Sequence, residues 1–194
     1  MLTMVKTKVT VTYDIDALLP VQSYVTARNA ITKQGYSCVT PESGESKRFS
    51  IDREHKVILS KTLNLNSLPK NELVPKRGGP ARFGLAIFMN TKTYRELGGE
   101  NENFISWGWE DHDRIMRFRR MKYKVGTLDN TPVKRNSYHL EHERGINSWK
   151  ISPYYKTNEA TLEKTKRFLN QRRRENIPIE EVAKLCIRRP GNQP

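Results

Sequence analysis

The sequence predicts a mixed α/β fold, and three observations support this assignment. Residues 8–13 are rich in β-branched side chains, which is typical of a strand. Residues 21–31 place apolar side chains at helical spacing, and Gly35 ends that helix. The short apolar run 83–89 predicts a buried strand, and it leads directly into a capped helix over 90–97. Strand and helix patterns therefore alternate within one chain.

The remaining elements are assigned in the same way. Residues 36–48 predict a loop, and the turn-forming residues of 64–80 predict an irregular connection. Residues 49–59 predict a hairpin or a pair of short strands. The later predicted elements are a helix that begins at Glu110, strands over 123–126 and 136–140, and helices over 159–174 and 180–187.

Composition excludes several classes of protein. The chain has 194 residues and no apolar run close to the roughly 18 that a membrane span requires. Its first residues contain no apolar segment of signal-peptide length. The two cysteines, Cys38 and Cys186, are too few for a disulfide framework or a zinc site. We therefore expect a cytoplasmic protein in a reducing compartment.

The net charge of +14 is unevenly distributed along the chain. Residues 1–113 carry 15 basic and 13 acidic side chains, whereas residues 114–194 carry 20 and 8. A basic second half has three interpretations: a solvated helix face, attraction to diphosphate substrates or anionic lipid headgroups, and nucleic-acid binding. No helix-turn-helix, zinc-finger or RNA-binding signature accompanies the charge, so we expect no nucleic-acid partner.

The first candidate motif is Asp14-Ile15-Asp16, at the end of the first predicted strand. If the strand continued, both carboxylates would lie on one face, where they could share a divalent cation such as Mg²⁺ or Mn²⁺. The alternative is a pair of ordinary turn acids, since Asp is common in turns.

The second candidate motif is His139-Leu140-Glu141-His142, on or just beyond a strand. Residues three apart on a strand point to opposite faces, so joint metal ligation requires the chain to turn between the two histidines. Imidazole suits Mn²⁺ and other transition metals better than Mg²⁺. Asp16 and one histidine could complete a single site, and the alternative is a pair of hydrogen-bonded surface histidines.

The third candidate motif is Trp107-Gly108-Trp109-Glu110-Asp111. Two tryptophans offer aromatic faces to a sugar ring or a base, and the adjacent carboxylates can accept hydroxyl protons, one of them as a general base. The alternative is a core tryptophan pair followed by acids that cap a helix.

Together these motifs resemble the beta-1,4-galactosyltransferase-like glycosyltransferases, in their C-terminal catalytic domain of GT-A type, and bacterial relatives that build surface polysaccharides. The resemblance runs from about Val9 to Trp149 and includes Phe83-Gly84 before the second strand. It implies a partial GT-A-like mixed sheet flanked by helices. The expected domains are a catalytic domain over 1–150 and a basic helical extension over 151–194.

The resemblance also implies an activity and its residues. The activity is metal-dependent, inverting transfer of a hexose or N-acetylhexosamine from a UDP-sugar to a saccharide or lipid-linked saccharide. Asp111 would be the catalytic base, and a flexible segment around Trp107 would close over the donor. The implied Mn²⁺ (or Mg²⁺) ligands are Asp16, His139 and His142, and the implied substrate-binding residues are Asp14, Phe83, Gly84, Trp107, Trp109 and Glu110.

The sequence also departs from the family pattern. The animal enzymes have additional glycines between the second tryptophan and the acid pair, so the sugar specificity is not carried over, and His112 stands where an acid is common. In the family a nucleotide-binding region precedes the Asp-x-Asp strand, and we expect the catalytic domain over 1–150 to lack most of that region. We therefore expect a partner chain to supply the missing part, whereas the basic second half predicts peripheral contact with a membrane. The alternatives are a non-catalytic fragment that binds saccharide or a partner, and a basic nucleic-acid-binding protein.

Overall fold

The computed structural model describes residues 2–41, 48–62, 64–69, 73, 75–76, 84–128, 137–143, 145 and 152–187. They form eight strands and six α-helices. The strands are β1 Val9–Tyr13, β2 Ala17–Leu18, β3 Cys38–Thr40, β4 Arg48–Ile51, β5 Pro75–Lys76, β6 Ala86–Asn90, β7 Val125–Thr127 and β8 Ser137–Leu140. The helices are α1 Val21–Lys33, α2 Arg53–Thr62, α3 Thr91–Glu96, α4 Glu110–Arg120, α5 Tyr155–Glu175 and α6 Ile179–Cys186. Two short 3₁₀ helices lie at Leu2–Met4 and Leu65–Ser67.

The strands form two four-stranded mixed sheets. The first has the order β1-β6-β3-β7, in which β3 runs antiparallel to β6 and parallel to β7. The second has the order β2-β8-β4-β5, in which β8 runs antiparallel to β2 and parallel to β4. The chain crosses from the first sheet to the second within residues 14–16, where the Ala17 amide donates to the Asp14 carbonyl at 3.0 Å. The Asp-x-Asp motif therefore lies between the sheets.

Strand β6 is the centre of the core. Ile87 and Met89 belong to one buried cluster, whereas Ala86 and Phe88 belong to another. This division follows from strand geometry, because successive side chains point to opposite faces of the sheet. The first cluster includes residues of α3, α4, α5 and α6, and the second includes residues of α1. The first sheet is therefore covered by helices on both faces.

The C-terminal helices share this core. Leu169 of α5 and Val182 of α6 are 3% and 0% exposed, and both lie in the cluster that contains Ile87 and Met89. The boundary expected at residue 150 stays a prediction, but the helices after it pack against the same sheet as the segment before it. Within the described part of the chain, no helix is both long and apolar enough to cross a membrane.

Most of the predicted elements are confirmed, including β1, α1, β6 and α4. The Asn90 side chain caps α3 by accepting from the Thr93 amide at 3.1 Å, as the sequence predicts. Helix α5 is confirmed but begins at Tyr155, four residues earlier than expected.

Two of the predicted secondary-structure assignments are wrong. Residues 49–59 are neither a hairpin nor a pair of strands, because only 49–51 belong to a strand, β4, after which the chain enters α2. The Asp52 side chain accepts from the His55 amide at 2.9 Å, which satisfies a free donor in the first helical turn. The predicted loop over 36–48 contains β3, a three-residue strand that is buried between β6 and β7.

Candidate active site

Asp16, His139 and His142 meet at the junction of the two sheets. Ala17 pairs with His139 in the β2–β8 ladder, which brings the neighbouring Asp16 close to that histidine. Strand β8 ends at Leu140, so the chain can turn and return His142 to the same place. Oδ2 of Asp16 lies 2.7 Å from Nε2 of His142 and 3.2 Å from Nε2 of His139.

These three residues fit a divalent metal ion. Each offers one ligand atom, and the three atoms lie within 4.8 Å of one another. A carboxylate with two imidazoles is a donor set that suits Mn²⁺ and related ions. Their side chains are 24–53% exposed, so water or a substrate oxygen could reach the remaining coordination positions. The structure brings together the residues predicted as ligands, and their role stays a prediction.

Asp14 faces a different partner from Asp16. Strand β1 ends at Tyr13, so the expected common face on a continuing strand is wrong. The Leu85 amide donates to Asp14 Oδ2 at 3.0 Å, and the Asp14 amide donates to the Leu85 carbonyl at 2.8 Å. Leu85 has a left-handed φ of 74°. This double contact holds the Asp14 carboxylate beside the segment that enters β6.

Gly84 lies between Asp14 and Asp111. A β-carbon at Gly84 would be 3.6 Å from Asp111 Oδ2 and 3.8 Å from Asp14 Oδ2, which is ordinary van der Waals contact.

Burial raises the pKa of Asp111 to about 7, and the charges of Glu110 and Asp14 also raise it, whereas Arg114 lowers it. A carboxyl group whose pKa lies near neutrality is suited to general base catalysis.

The loop before α4 has an unusual backbone. Ser106, Gly108 and Trp109 have φ values of 58°, 116° and 72°, all in the left-handed region that L residues rarely adopt. The Gly108 amide donates to Glu110 Oε2 at 2.8 Å, so the Glu110 carboxylate closes the loop at the helix start. This contact fixes the loop before the helix without capping the helix itself, and substrate binding by Glu110 stays a prediction.

The two tryptophans of this loop differ in their surroundings. The Trp109 ring packs against His112 and Tyr155, with centroids at 5.3 and 5.5 Å. Trp107 is 41% exposed, which leaves its ring accessible to a ligand. The packing interpretation therefore describes Trp109, whereas the Trp107 ring is exposed and its binding to a sugar ring stays a prediction.

Asn158 anchors the same loop from α5. Its side chain accepts from the Ile105 amide at 3.0 Å and donates to the carbonyls of Ile105 and Trp107 at 2.8 and 3.2 Å. Asn158 is 0% exposed. The backbone of the expected flexible segment is thus held at two residues. No sequence signal distinguishes this asparagine from the polar residues around it.

Sequence reasoning also missed two buried arginines of α4. Arg114 contacts both Asp111 and Glu100, and its side chain is 6% exposed. Arg117 pairs with Asp113 at 2.9 Å, and these two side chains are 1% and 0% exposed. The solvated-face interpretation of the basic second half is therefore wrong for both arginines. Phe83, a predicted substrate-binding residue, lies outside the described residues.

Comparisons with known proteins concern the fold of the chain. A family model described as the N-terminal domain of galactosyltransferase matches residues 69–143. No curated protein matches the sequence. A solved structure, "GalNAc-T7 with UDP, GalNAc and Mn2+", superposes with a TM-score of 0.56 at 14% identity, over 92% of this chain and 37% of that chain.

These comparisons confirm the predicted fold class. The mixed sheets flanked by helices are structurally similar to a GT-A glycosyltransferase domain. The chain spans little more than a third of the length of that structural neighbour. Gly84, the Trp107–Asp111 motif and both histidines lie inside the matched range, whereas Asp14 and Asp16 precede it.

Proposed function

We propose that this chain is the catalytic domain of a metal-dependent, inverting glycosyltransferase. Its reaction would move a hexose or N-acetylhexosamine from a UDP-sugar to a saccharide acceptor. The observation that carries the proposal is the meeting of Asp16 with His139 and His142, which come from distant parts of the chain. A carboxylate and two imidazoles could hold Mn²⁺ or Mg²⁺, with Mn²⁺ favoured by the imidazoles.

The bound cation would stabilise the negative charge that grows on the departing diphosphate. Asp16, His139 and His142 would hold it at the junction of the sheets. The structural neighbour was solved with UDP, GalNAc and Mn²⁺, which supports a UDP-sugar donor and a divalent ion for this chain. A galactose-type donor is supported by the galactosyltransferase family model.

Asp111 would supply the base. Its pKa of about 7 leaves a substantial fraction ionised at neutral pH, while keeping the carboxylate basic enough to accept a proton from an acceptor hydroxyl. A single displacement by that activated oxygen inverts the configuration of the sugar carbon. Exposed Trp107 would pack against a sugar ring, and Asp14 would accept hydrogen bonds from sugar or ribose hydroxyls.

The first test is metal binding. We expect wild-type protein to bind Mn²⁺ in isothermal calorimetry, and the Asp16→Asn variant to bind it at least about tenfold more weakly because a charged ligand is lost. Asp52→Asn is the matched control, since Asp52 also contacts a histidine, His55, but lies outside the cluster. Equal Mn²⁺ affinity in wild type and Asp16→Asn would contradict the proposed ligand set.

UDP binding separates the proposed enzyme from its alternatives. With Mn²⁺ present, UDP should bind wild type and not Asp16→Asn. Saccharide binding without Mn²⁺-dependent UDP binding would favour a non-catalytic fragment. Steeply salt-dependent binding of generic DNA or RNA would favour a nucleic-acid-binding protein.

We propose that a partner chain supplies the polypeptide that completes the nucleotide-binding site. This chain spans 37% of its structural neighbour, which leaves room for a partner chain that contacts uracil and ribose. We also propose a cytoplasmic location, because Cys38 and Cys186 are both unpaired thiols. Burial raises the pKa of Cys38 to about 12, so this thiol is unreactive.

Peripheral contact with an anionic membrane is supported by a basic cavity. The cavity has a volume of about 410 Å³. It lies at the start of β1, six residues from Asp14 and thus roughly 20 Å away along an extended chain. Its lining contains no acid and comprises Lys6, Thr7, Lys8, Ile31, Thr32, Asn90, Thr91, Lys92 and Arg95.

Vesicle binding tests this contact. We expect the double variant Lys6→Gln/Lys92→Gln to bind phosphatidylglycerol vesicles about thirtyfold more weakly than wild type, at about 1 kcal/mol per lysine. The control Lys166→Gln/Lys184→Gln removes the same charge from lysines that pair with Glu163 and Glu181 on α5 and α6. Co-sedimentation with vesicles would measure the affinity of both double variants. An equal loss of affinity in the two would show that binding depends on net charge alone and would contradict the role of the cavity.

A further inference from the structure

One arginine joins the proposed base to a second carboxylate. Arg114 donates through Nη1 to Asp111 Oδ1, and through Nε and Nη2 to the two oxygens of Glu100 at 3.1 and 2.6 Å. The Arg114 side chain is 6% exposed, against 27% for Asp111 and 52% for Glu100. A buried guanidinium requires such partners, because an unpaired buried charge is strongly destabilising.

Glu100 is itself held in place. The Tyr94 hydroxyl donates to Glu100 Oε1, and Tyr94 is 2% exposed and stacks on Phe118 with ring centroids 6.4 Å apart. Burial tends to raise the pKa of Glu100, but the ion pair with Arg114 holds it below its usual value. The contacts Tyr94–Glu100–Arg114–Asp111 therefore connect α3, the loop after it and α4.

The two oxygens of Asp111 have different surroundings. Oδ1 is bound by Arg114, whereas Oδ2 is the oxygen beside Gly84 and Asp14. Because Arg114 holds Oδ1, the orientation of the carboxylate and the direction of Oδ2 are both set by one contact. Oδ2 is thus the oxygen that would take the acceptor proton.

We propose that Arg114 is a positioning residue, which aims Oδ2 of Asp111 into the site and keeps this carboxylate charged, while Glu100 holds Arg114. The identity of Asp111 as the base rests on the proposed function. The orientation and ionisation of Asp111 are properties of this chain alone and can be measured without a substrate.

The charges around Asp111 determine the expected effects. Glu110 on α4 and Asp14 after β1 raise its pKa, Arg114 lowers it, and Glu100 is a further negative charge beyond Arg114. Loss of Arg114 should therefore raise the pKa of Asp111 above about 7. Loss of the Glu100 charge should lower it, because Arg114 then has one carboxylate instead of two.

The experiment is a ¹³C NMR titration of the Asp111 side-chain carbon, assigned with the Asp111→Asn variant. We expect Arg114→Met to raise the titration midpoint by at least about one pH unit, so that about tenfold less carboxylate is ionised at pH 6. Arg114→Lys should bring the midpoint most of the way back to the wild-type value, because lysine returns the positive charge. Arg95→Met is the control, since Arg95 binds the carbonyls of Leu2 and Val5 instead.

Glu100→Gln provides a second test if Arg114→Met does not fold, because Glu100 is half exposed and its substitution should be tolerated. In this variant the midpoint of Asp111 should move downward, opposite to the shift expected for Arg114→Met. An unchanged midpoint in folded Arg114→Met, or an upward shift in Glu100→Gln, would overturn the proposal. Shifts as expected without Mn²⁺-dependent UDP binding would leave the positioning of Asp111 intact and reject the glycosyltransferase. In an active enzyme, the acid limb of kcat should move with the NMR midpoint.

Discussion

Asp111→Asn is expected to lower sugar transfer by about 10²–10⁴-fold, which is the usual contribution of a general base. The amide keeps the size of the carboxylate and can still accept from Arg114 through its oxygen, so the local structure should persist. What disappears is the ability to take a proton. The loss should appear in kcat and kcat/KM together, because the interaction belongs to the transition state.

The same variant should bind Mn²⁺ and UDP nearly as wild type does. Asp111 is not part of the cluster formed by Asp16, His139 and His142. Single-turnover transfer assays with several UDP-hexoses, combined with Mn²⁺ calorimetry, would separate catalysis from binding, and Asp52→Asn again serves as the control. Loss of Mn²⁺ binding in Asp111→Asn would show that the base and the metal site were assigned incorrectly.

The largest effect on stability is expected from Arg117→Met, at about 3–5 kcal/mol of unfolding free energy. Arg117 is 1% exposed and pairs with fully buried Asp113. It also donates to the carbonyls of Leu97 and Gly99. Methionine fills the space but leaves a buried carboxylate and two carbonyls without this donor, each of which carries a desolvation cost.

Urea unfolding followed by circular dichroism would measure this loss. Lys184→Met is the control, because it removes only an exposed pair with Glu181 and should leave the stability nearly unchanged. Adding Asp113→Leu to Arg117→Met should recover part of the loss, since the unpaired charge is then gone. Equal stability of Arg117→Met and Lys184→Met would refute the structural role of the buried pair.

The sequence predicts those elements whose pattern is local. The β-branched residues of β1, the apolar run of β6 and the Asn90 cap of α3 all act within a few residues. Strand β3 is too short to show a pattern and exists because β6 and β7 pair with it on either side. Residues 53–59 contain β-branched side chains, but the contact of Asp52 with the His55 amide starts a helix there.

In the candidate site, too, the residue types can be read from the sequence, whereas their arrangement depends on tertiary structure. Asp16, His139 and His142 can be selected from the sequence by chemical type, but their meeting depends on the two-residue ladder between β2 and β8. Arg114, Glu100 and Asn158 have no sequence signal, because charged and polar residues are ordinary in helices and loops. Their importance comes from burial and from partners that lie elsewhere in the chain, which only the tertiary structure reveals.

The contacts of Asn158 have a practical consequence for the limits of this domain. A protein truncated at residue 150 would lose three hydrogen bonds to the backbone around Trp107 and the ring of Tyr155 that packs on Trp109. It would also expose the apolar surface that Leu169 and Val182 cover. The aromatic loop and the C-terminal helices therefore share hydrogen bonds and a core, and we expect that a fragment with an intact candidate site has to extend through α6.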